Sequence, residues 1–223
     1  DLPAAEASLK RARRKEKTQR AEWVELQIAF RRSPEGALPK LLAFSASDRH
    51  PRLCFLALRT ALEHLMAQNR EADLRKALEG FLQRHPKSSG AWEAALMRQA
   101  YKLLGGGVTS TDLEEVRRLY SHPLPGQESR ARSLLGQQLM SLGRPREVVE
   151  LLDPVMEKEP TLLNHYQLGS ALAALGAKED AHMVLEAALD ADPADLAEDQ
   201  AKHLIEQVQS LLQSLGGKSQ PRI

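Results

Sequence analysis

The chain has 223 residues, of which 42% are hydrophobic, 27% charged and only 4% aromatic, with a formal net charge of +1. That suits one large helix-rich domain or a short repeat array, and the near-neutral balance excludes a global field drawing nucleic acid or an acidic partner. The single Cys54 excludes an intrachain disulfide, no Cys/His spacing suits zinc, and no apolar run approaches the roughly 18 residues of a spanning helix.

Residues 1–20 are polar and basic and end in KRARRKEKTQR, while Leu2 and Leu9 make no apolar stripe. They read as a solvated lead-in helix or the end of a linker. The alternative is a phosphate-binding or membrane-surface arm, which would want interleaved aromatics or a cleaner apolar face. The chain carries no signal-peptide pattern and does not begin with Met, as expected of a processed protein or an excised domain. Asn69 and Asn164 lack a following Ser/Thr at the second position, so no N-glycosylation is expected.

From Ala21 the pattern strengthens. Trp23, Leu26 and Phe30 share a helix face flanked by Ile28, and Ser33-Pro34-Glu35 reads as a helix start with Ser at the N-cap. Leu38, Leu41, Leu42 and Ala46 follow as a short helix, so residues 21–50 make a degenerate first hairpin. Leu53 to Gln68 is helical, with Leu58, Ala61, Leu62 and Leu65 on one face; Asn69 breaks it. Leu74, Ala77, Leu78 and Phe81 form the answering helix, and Pro86 ends a second hairpin, 51–86.

Gly90 to Leu104 is the next first helix, with Trp92, Ala95, Leu96 and Leu103. Gly105-Gly106-Gly107 follows as a flexible connector. Thr111-x-x-Glu114 reads as a capping box that opens a helix with Val116, Leu119 and Tyr120 on its apolar face; this is hairpin 88–123. Residues 127–160 repeat the pattern with Leu135-Gly136, Gly143, Val148, Leu152 and Val155.

The stretch 162–195 is the clearest unit. Leu168, Leu172 and Leu175 recur at helical spacing, Gly176 stops the helix, and Ala181, Val184, Leu185 and Ala188 line a second helix that Pro193 ends. Neither helix buries its stripe alone, so the hairpin must stack on a neighbour. Gly143 and Gly176 are 33 residues apart, and Pro51, Pro86, Pro123, Pro160 and Pro193 punctuate the chain at gaps of 35, 37, 37 and 33. Residues 196–216 change period: Ala197, Ala201, Leu204, Val208, Leu211 and Leu215 face one side, and Glu198, Lys202, Glu206 and Gln209 the other. This amphipathic helix reads as a cap on the last unit, with weak self-association through the same stripe as the alternative. Residues 217–223 read as a disordered tail.

Leu168-Gly169, Gly176, Ala181, Ala188 and Pro193 stand at the spacing of a tetratricopeptide repeat, about 34 residues long, and the stretch resembles that family. It departs from the family pattern at the aromatic positions, where His165 and Leu185 stand. Gly169 and Ala181 suit close helix approach, and Ala188 leaves room for the next unit. The resemblance implies an all-α fold: an α-solenoid of antiparallel helical hairpins in a right-handed superhelix over 21–195, closed by the capping helix.

Motifs that carry chemistry are scarce in this chain. Gly217-Lys218-Ser219 lacks the Gly that a phosphate-binding loop needs at Leu212, and lacks a following helix. The triple glycine with Thr109, Ser110 and Thr111 reads as a connector plus N-cap rather than an anion site. None of the seven histidines pair at i, i+3 or i+4, and neither HExxH nor GxSxG occurs. Glu147, Glu150, Glu157 and Glu159 read as solvated surface. No catalytic residue, cofactor or metal is expected.

Surface for binding remains. By the resemblance, first helices would line a concave groove holding a protein or peptide partner. Its lining would include Arg59, Glu63 and Met66, then Trp92, Glu93 and Met97, then Arg130, Ser133, Gln137 and Met140, and lastly Leu163, Tyr166 and Ser170. Such a mixed lining with adaptable Met side chains suits an extended or helical peptide. Tyr166 with Ser170, and Ser133 with Gln137, stand where chaperone-tail-binding members hold Lys and Asn, so a two-carboxylate clamp is not expected. The expected function is a non-catalytic interaction scaffold or adaptor, in the style of bacterial envelope, secretion or polysaccharide-export assemblies. The expected setting is soluble, cytoplasmic or periplasmic, without membrane insertion. The alternatives are an accessory, substrate-positioning domain of an enzyme and, less favoured, nucleic-acid binding through the basic residues.

Overall fold

A computed structural model describes residues 2–193 and 196–216, with side chains from Arg14 onward. The predicted tail 217–223, with Gly217-Lys218-Ser219, lies outside the described residues, as do the last two residues of the 162–195 hairpin and the side chains of Leu2 and Leu9. The described residues are all-α: eleven α-helices, one 3₁₀ turn and no strand beyond an isolated Thr161–Asp192 bridge. The chain divides into two compact units, Asp1–Tyr101 and Lys102–Ile223. The division falls within the predicted 88–123 pair.

The first unit contains α1 (Leu2–Arg32), α2 (Pro34–Ser45), α3 (Pro51–Ala67), α4 (Glu71–Arg84) and α5 (Ser89–Leu104) up to Tyr101. α1 runs unbroken across the expected boundary at residue 20, because Ala, Glu, Lys, Arg and Gln dominate it and no Gly interrupts it. Ser33 sits at the N-cap of α2 with Pro34 at the first helical position, but its hydroxyl makes no capping bond. α1 packs on α2, α2 on α3 and α3 on α4, and α1 also touches α3 as α2 touches α4. The core joins Trp23, Leu38, Leu41, Phe44, Leu58, Ala61, Leu62, Leu65, Leu74, Leu78 and Phe81. Phe44 is buried beside Trp23, ring centroids 6.2 Å apart, while the predicted Ala46 is exposed.

The second unit holds α6 (Ser110–Ser121), α7 (Glu128–Ser141), α8 (Pro145–Leu152), α9 (Leu162–Ala174), α10 (Lys178–Leu189) and α11 (Glu198–Gly216). α6 packs on α7, α7 on α8, α8 on α9 and α9 on α10, and α7 reaches α9. At Gly169 α9 and α10 meet closely: a Cβ there would stand 2.5 Å from Leu185 Cγ. α11 lies on both α9 and α10, with Leu204 and Val208 joining Leu162, Leu185 and Ala188. Leu175, expected on the apolar face, is 41% exposed, because α9 ends at Ala174 and Leu175 belongs to the turn.

Four turns share one geometry. Asn69, Gly106, Gly143 and Gly176 have φ of 56°, 69°, 68° and 82°, and sit just after α3, α5, α7 and α9. In each, the following residue's N–H reaches the carbonyl five positions back: Arg70 to Leu65, Gly107 to Lys102, Arg144 to Leu139, Ala177 to Leu172. The left-handed residue itself donates to the carbonyl three back, completing a Schellman motif. Gly106 is therefore a structured turn of the same kind as Gly143, not a loose connector. The capping box also sits elsewhere: Thr109 is the N-cap and Asp112 closes the box, while Lys102 Nζ approaches Asp112 Oδ1. Asp at the third helical position serves as Glu would, which moves the helix start two residues earlier than Thr111.

Candidate functional site

In the first unit, Arg59, Glu63 and Met66 are exposed on α3, and Met66 is 51% exposed. Arg59 Nε lies 3.7 Å from Glu63 Oε1, a solvated pair of little energetic weight. Trp92 and Glu93 are half-buried on α5, and Met97 is half-buried against the core rather than presented outward.

In the second unit, Arg130 and Gln137 are exposed on α7, and Met140 is half-buried. Ser133 is spent on packing: Gln167 Nε2 donates to its carbonyl at 3.1 Å and to its hydroxyl at 3.2 Å, tying α9 to α7. Leu163 and Tyr166 pack against the cluster that α11 completes, so α11 takes up surface expected to meet a partner. Ser170 is half-buried, its hydroxyl oxygen enclosed without a hydrogen-bond partner among the described residues. Of the thirteen predicted residues, Arg59, Glu63, Met66, Arg130 and Gln137 are the exposed ones.

Two glutamates expected on the solvated surface are structural. Glu159 receives Arg132 Nη1 at 2.7 Å, and the Arg132 side chain is only 6% exposed. That hydrogen bond, with the guanidinium charge, holds the Glu159 carboxyl below its ordinary pKa against the effect of burial. Glu147 joins α8 to Arg117 of α6 and also pairs with Arg144. Cys54 is fully buried, and burial pushes its thiol up despite contacts with Ser47, so it is poorly placed for thiolate chemistry. Among the described residues no group of three or more His, Cys, Asp or Glu side chains is arranged to hold a metal ion, and no helix is long and apolar enough to cross a membrane.

The open concavity of the first unit was not anticipated. A cleft of about 570 Å³ lies between α1 and the start of α3, lined by Glu16, Arg20, Trp23, Val24, Gln27, His50, Arg52, Leu53 and Leu56. Its walls are tied at one end: Gln19 Oε1 accepts the His50 backbone N–H at 2.9 Å, and Arg49 Nε reaches Glu22 Oε2 at 2.9 Å. Arg52, Leu56, Arg59, Glu63 and Met66 step by 4, 3, 4 and 3, so the cleft opens onto the same α3 face as the predicted trio. The sequence signal was Val24 and Ile28, which extend the apolar pattern of α1 around the helix and are 50% and 46% exposed.

The chain matches no protein-family model, no curated protein and no solved structure.

Proposed function

We propose that the chain is a non-catalytic protein–protein interaction scaffold or adaptor, a tetratricopeptide-like array whose first helices hold a peptide or protein segment. The observation that carries this reading is the recurrence of one Schellman turn at Asn69, Gly106, Gly143 and Gly176. A hairpin module repeated with the same turn spends its apolar stripes on neighbouring helices and leaves a face of α3 and a face of α7 for a partner. On α3 that face is the exposed Arg59, Glu63 and Met66; on α7 it is Arg130 and Gln137. Their mix of charge, amide and thioether suits a protein surface.

The test uses the purified chain as bait in source lysate, followed by reconstitution with the purified captured protein. The wild type is compared with Arg59→Glu/Met66→Glu and with Arg130→Glu/Gln137→Glu. All four residues are exposed, so the variants should keep their circular dichroism. Tyr166 is left alone because it packs against the α11 cluster. The reading predicts a reconstituted complex weakened by at least one double variant. Equal binding by wild type and both variants refutes it.

A further inference from the structure

The cleft between α1 and α3 has a floor and a rim of different chemistry. Trp23 and Leu53 are 7% and 9% exposed and form a packed apolar floor, which half-buried Leu56 and half-exposed Val24 continue toward the mouth. Ile28 extends the apolar strip one turn further along α1. The volume falls in the range of roughly 300–1,000 Å³ that suits side chains or small ligands.

The rim is cationic. Glu16, the one carboxylate among the lining residues, already holds Arg20 at 2.7 Å. Arg52 is exposed at the mouth and makes no ion pair among the described residues. Lys17, beside the lining residues Glu16 and Arg20, stands exposed on α1, likewise without a carboxylate partner among the described residues. The next carboxylates along α1 are Glu22, engaged by Arg49, and the exposed Glu25, which is not among the lining residues. The first turn of α3 has no acidic side chain, so the positive end of that helix adds to the same field. The whole chain is nearly neutral, and this concentration of positive charge is local.

The walls are helices whose backbone groups are bonded internally. An extended peptide would find few partners there for its own N–H and C=O groups, whereas a helix brings them satisfied. We propose that this cleft binds an acidic amphipathic helix of a partner protein. The helix sets apolar side chains on Trp23, Val24, Leu53 and Leu56 and places its carboxylates against Arg52 and Lys17. This deepens the interaction reading above and rests on it, naming the partner's chemistry at one end of the α3 face.

The probe is a helix-stapled, fluorescein-labelled peptide of about four turns, with Leu at i, i+3, i+4 and i+7 and Glu on its flanks. Its control is the same peptide with every Glu replaced by Gln. Both are titrated into the full chain by anisotropy at low and high salt. A Trp92→Phe background leaves Trp23 as the single indole reporter. The acidic peptide should bind at least about tenfold tighter than the Gln copy at low salt, with the advantage shrinking as salt rises. Trp23 emission should shift on binding. Lys17→Glu/Arg52→Glu should abolish the preference for the acidic peptide, and Val24→Glu should weaken both peptides while circular dichroism stays unchanged.

Equal binding of the two peptides overturns the acidic partner and leaves the interaction reading standing. Binding of neither overturns the cleft as a site, and the scaffold reading is then judged by its own variants on α3 and α7. Two further results also overturn the proposal. One is a dimer in sedimentation that Val24→Glu splits, which makes a second copy the occupant. The other is a preference for phosphatidylserine vesicles over the acidic peptide, which makes the rim a membrane-binding surface.

Discussion

Arg132 shows how one side chain can link neighbouring helices. It sits on α7, 5% exposed, and its charge is met by Glu159, just before α9. Asn164 Nδ2 donates to the Glu159 carbonyl at 2.8 Å and fixes the same strap. Removing Glu159 leaves a buried guanidinium without its anion. Because the Glu159 side chain is 39% exposed, water offsets part of that cost. Glu159→Gln should therefore destabilise the chain by about 1–2 kcal/mol in urea unfolding. The pH dependence follows from the depressed carboxyl. The pair's contribution is whole above the ordinary value of 4.5 and is lost as pH falls through the lower folded value. Wild type should lose stability more steeply than Glu159→Gln as pH drops below that ordinary value, and urea midpoints across the acid range check this. Gly169 makes a steric point of the same kind. Gly169→Ala would press its Cβ into Leu185 Cγ and should cost about 1–3 kcal/mol. Combining it with Leu185→Ala should cost less than the sum of the two single changes, measured by the same unfolding curves.

At the scale of elements, the turns and caps set where helices stop. Gly143 and Gly176 have φ of 68° and 82°, with nothing within 4 Å of the position a Cβ would take. Their replacement by Ala is thus resisted by backbone conformation alone, at about 1–2 kcal/mol each. Asn69 holds the same conformation with a side chain, so Asn69→Gly should be neutral or slightly stabilising where Asn69→Ala is destabilising. Thermal unfolding of these variants tests whether the four turns are equivalent. The Thr109–Asp112 box should behave as an ordinary N-cap: Thr109→Ala should cost about 0.5–2 kcal/mol.

At the scale of the whole molecule, each unit must close its own apolar surface. In the second unit α11 does so for α9 and α10, and Val208 is fully buried in that contact. Val208→Asp would place a charge in that contact and loosen α11 from Leu162, Leu185 and Ala188. The expected result is a lower melting temperature together with self-association visible by sedimentation velocity, since the uncovered stripe then seeks another copy. In the first unit the long α1 closes one side but leaves Val24 and Ile28 beside an open cleft. The two units thus handle their apolar edges differently, and the open one carries the proposed partner site.

Helix type, the turn positions and most of the core were legible in the residues. Periodic Leu and Ala at 3.6-residue spacing, Gly or Asn at helix ends and Pro just beyond them are local signals, and local physics decides them. Leu58, Ala61, Leu62 and Leu65 are buried as their spacing requires. The binding surface was less legible, because exposure depends on which neighbour covers a face. Tyr166 and Leu163 look like groove residues until α11 folds over them, and Ser133 until Gln167 bonds to it. Buried polar groups such as Arg132, Asn164 and Gln167 carry no apolar signal, and their partners stand on other elements. The sequence by itself determined an all-α chain and the Asn or Gly turns that follow α3, α7 and α9. Tertiary structure alone decided which helix faces meet water, because burial of a side chain is a property of two surfaces and the sequence pattern describes only one of them.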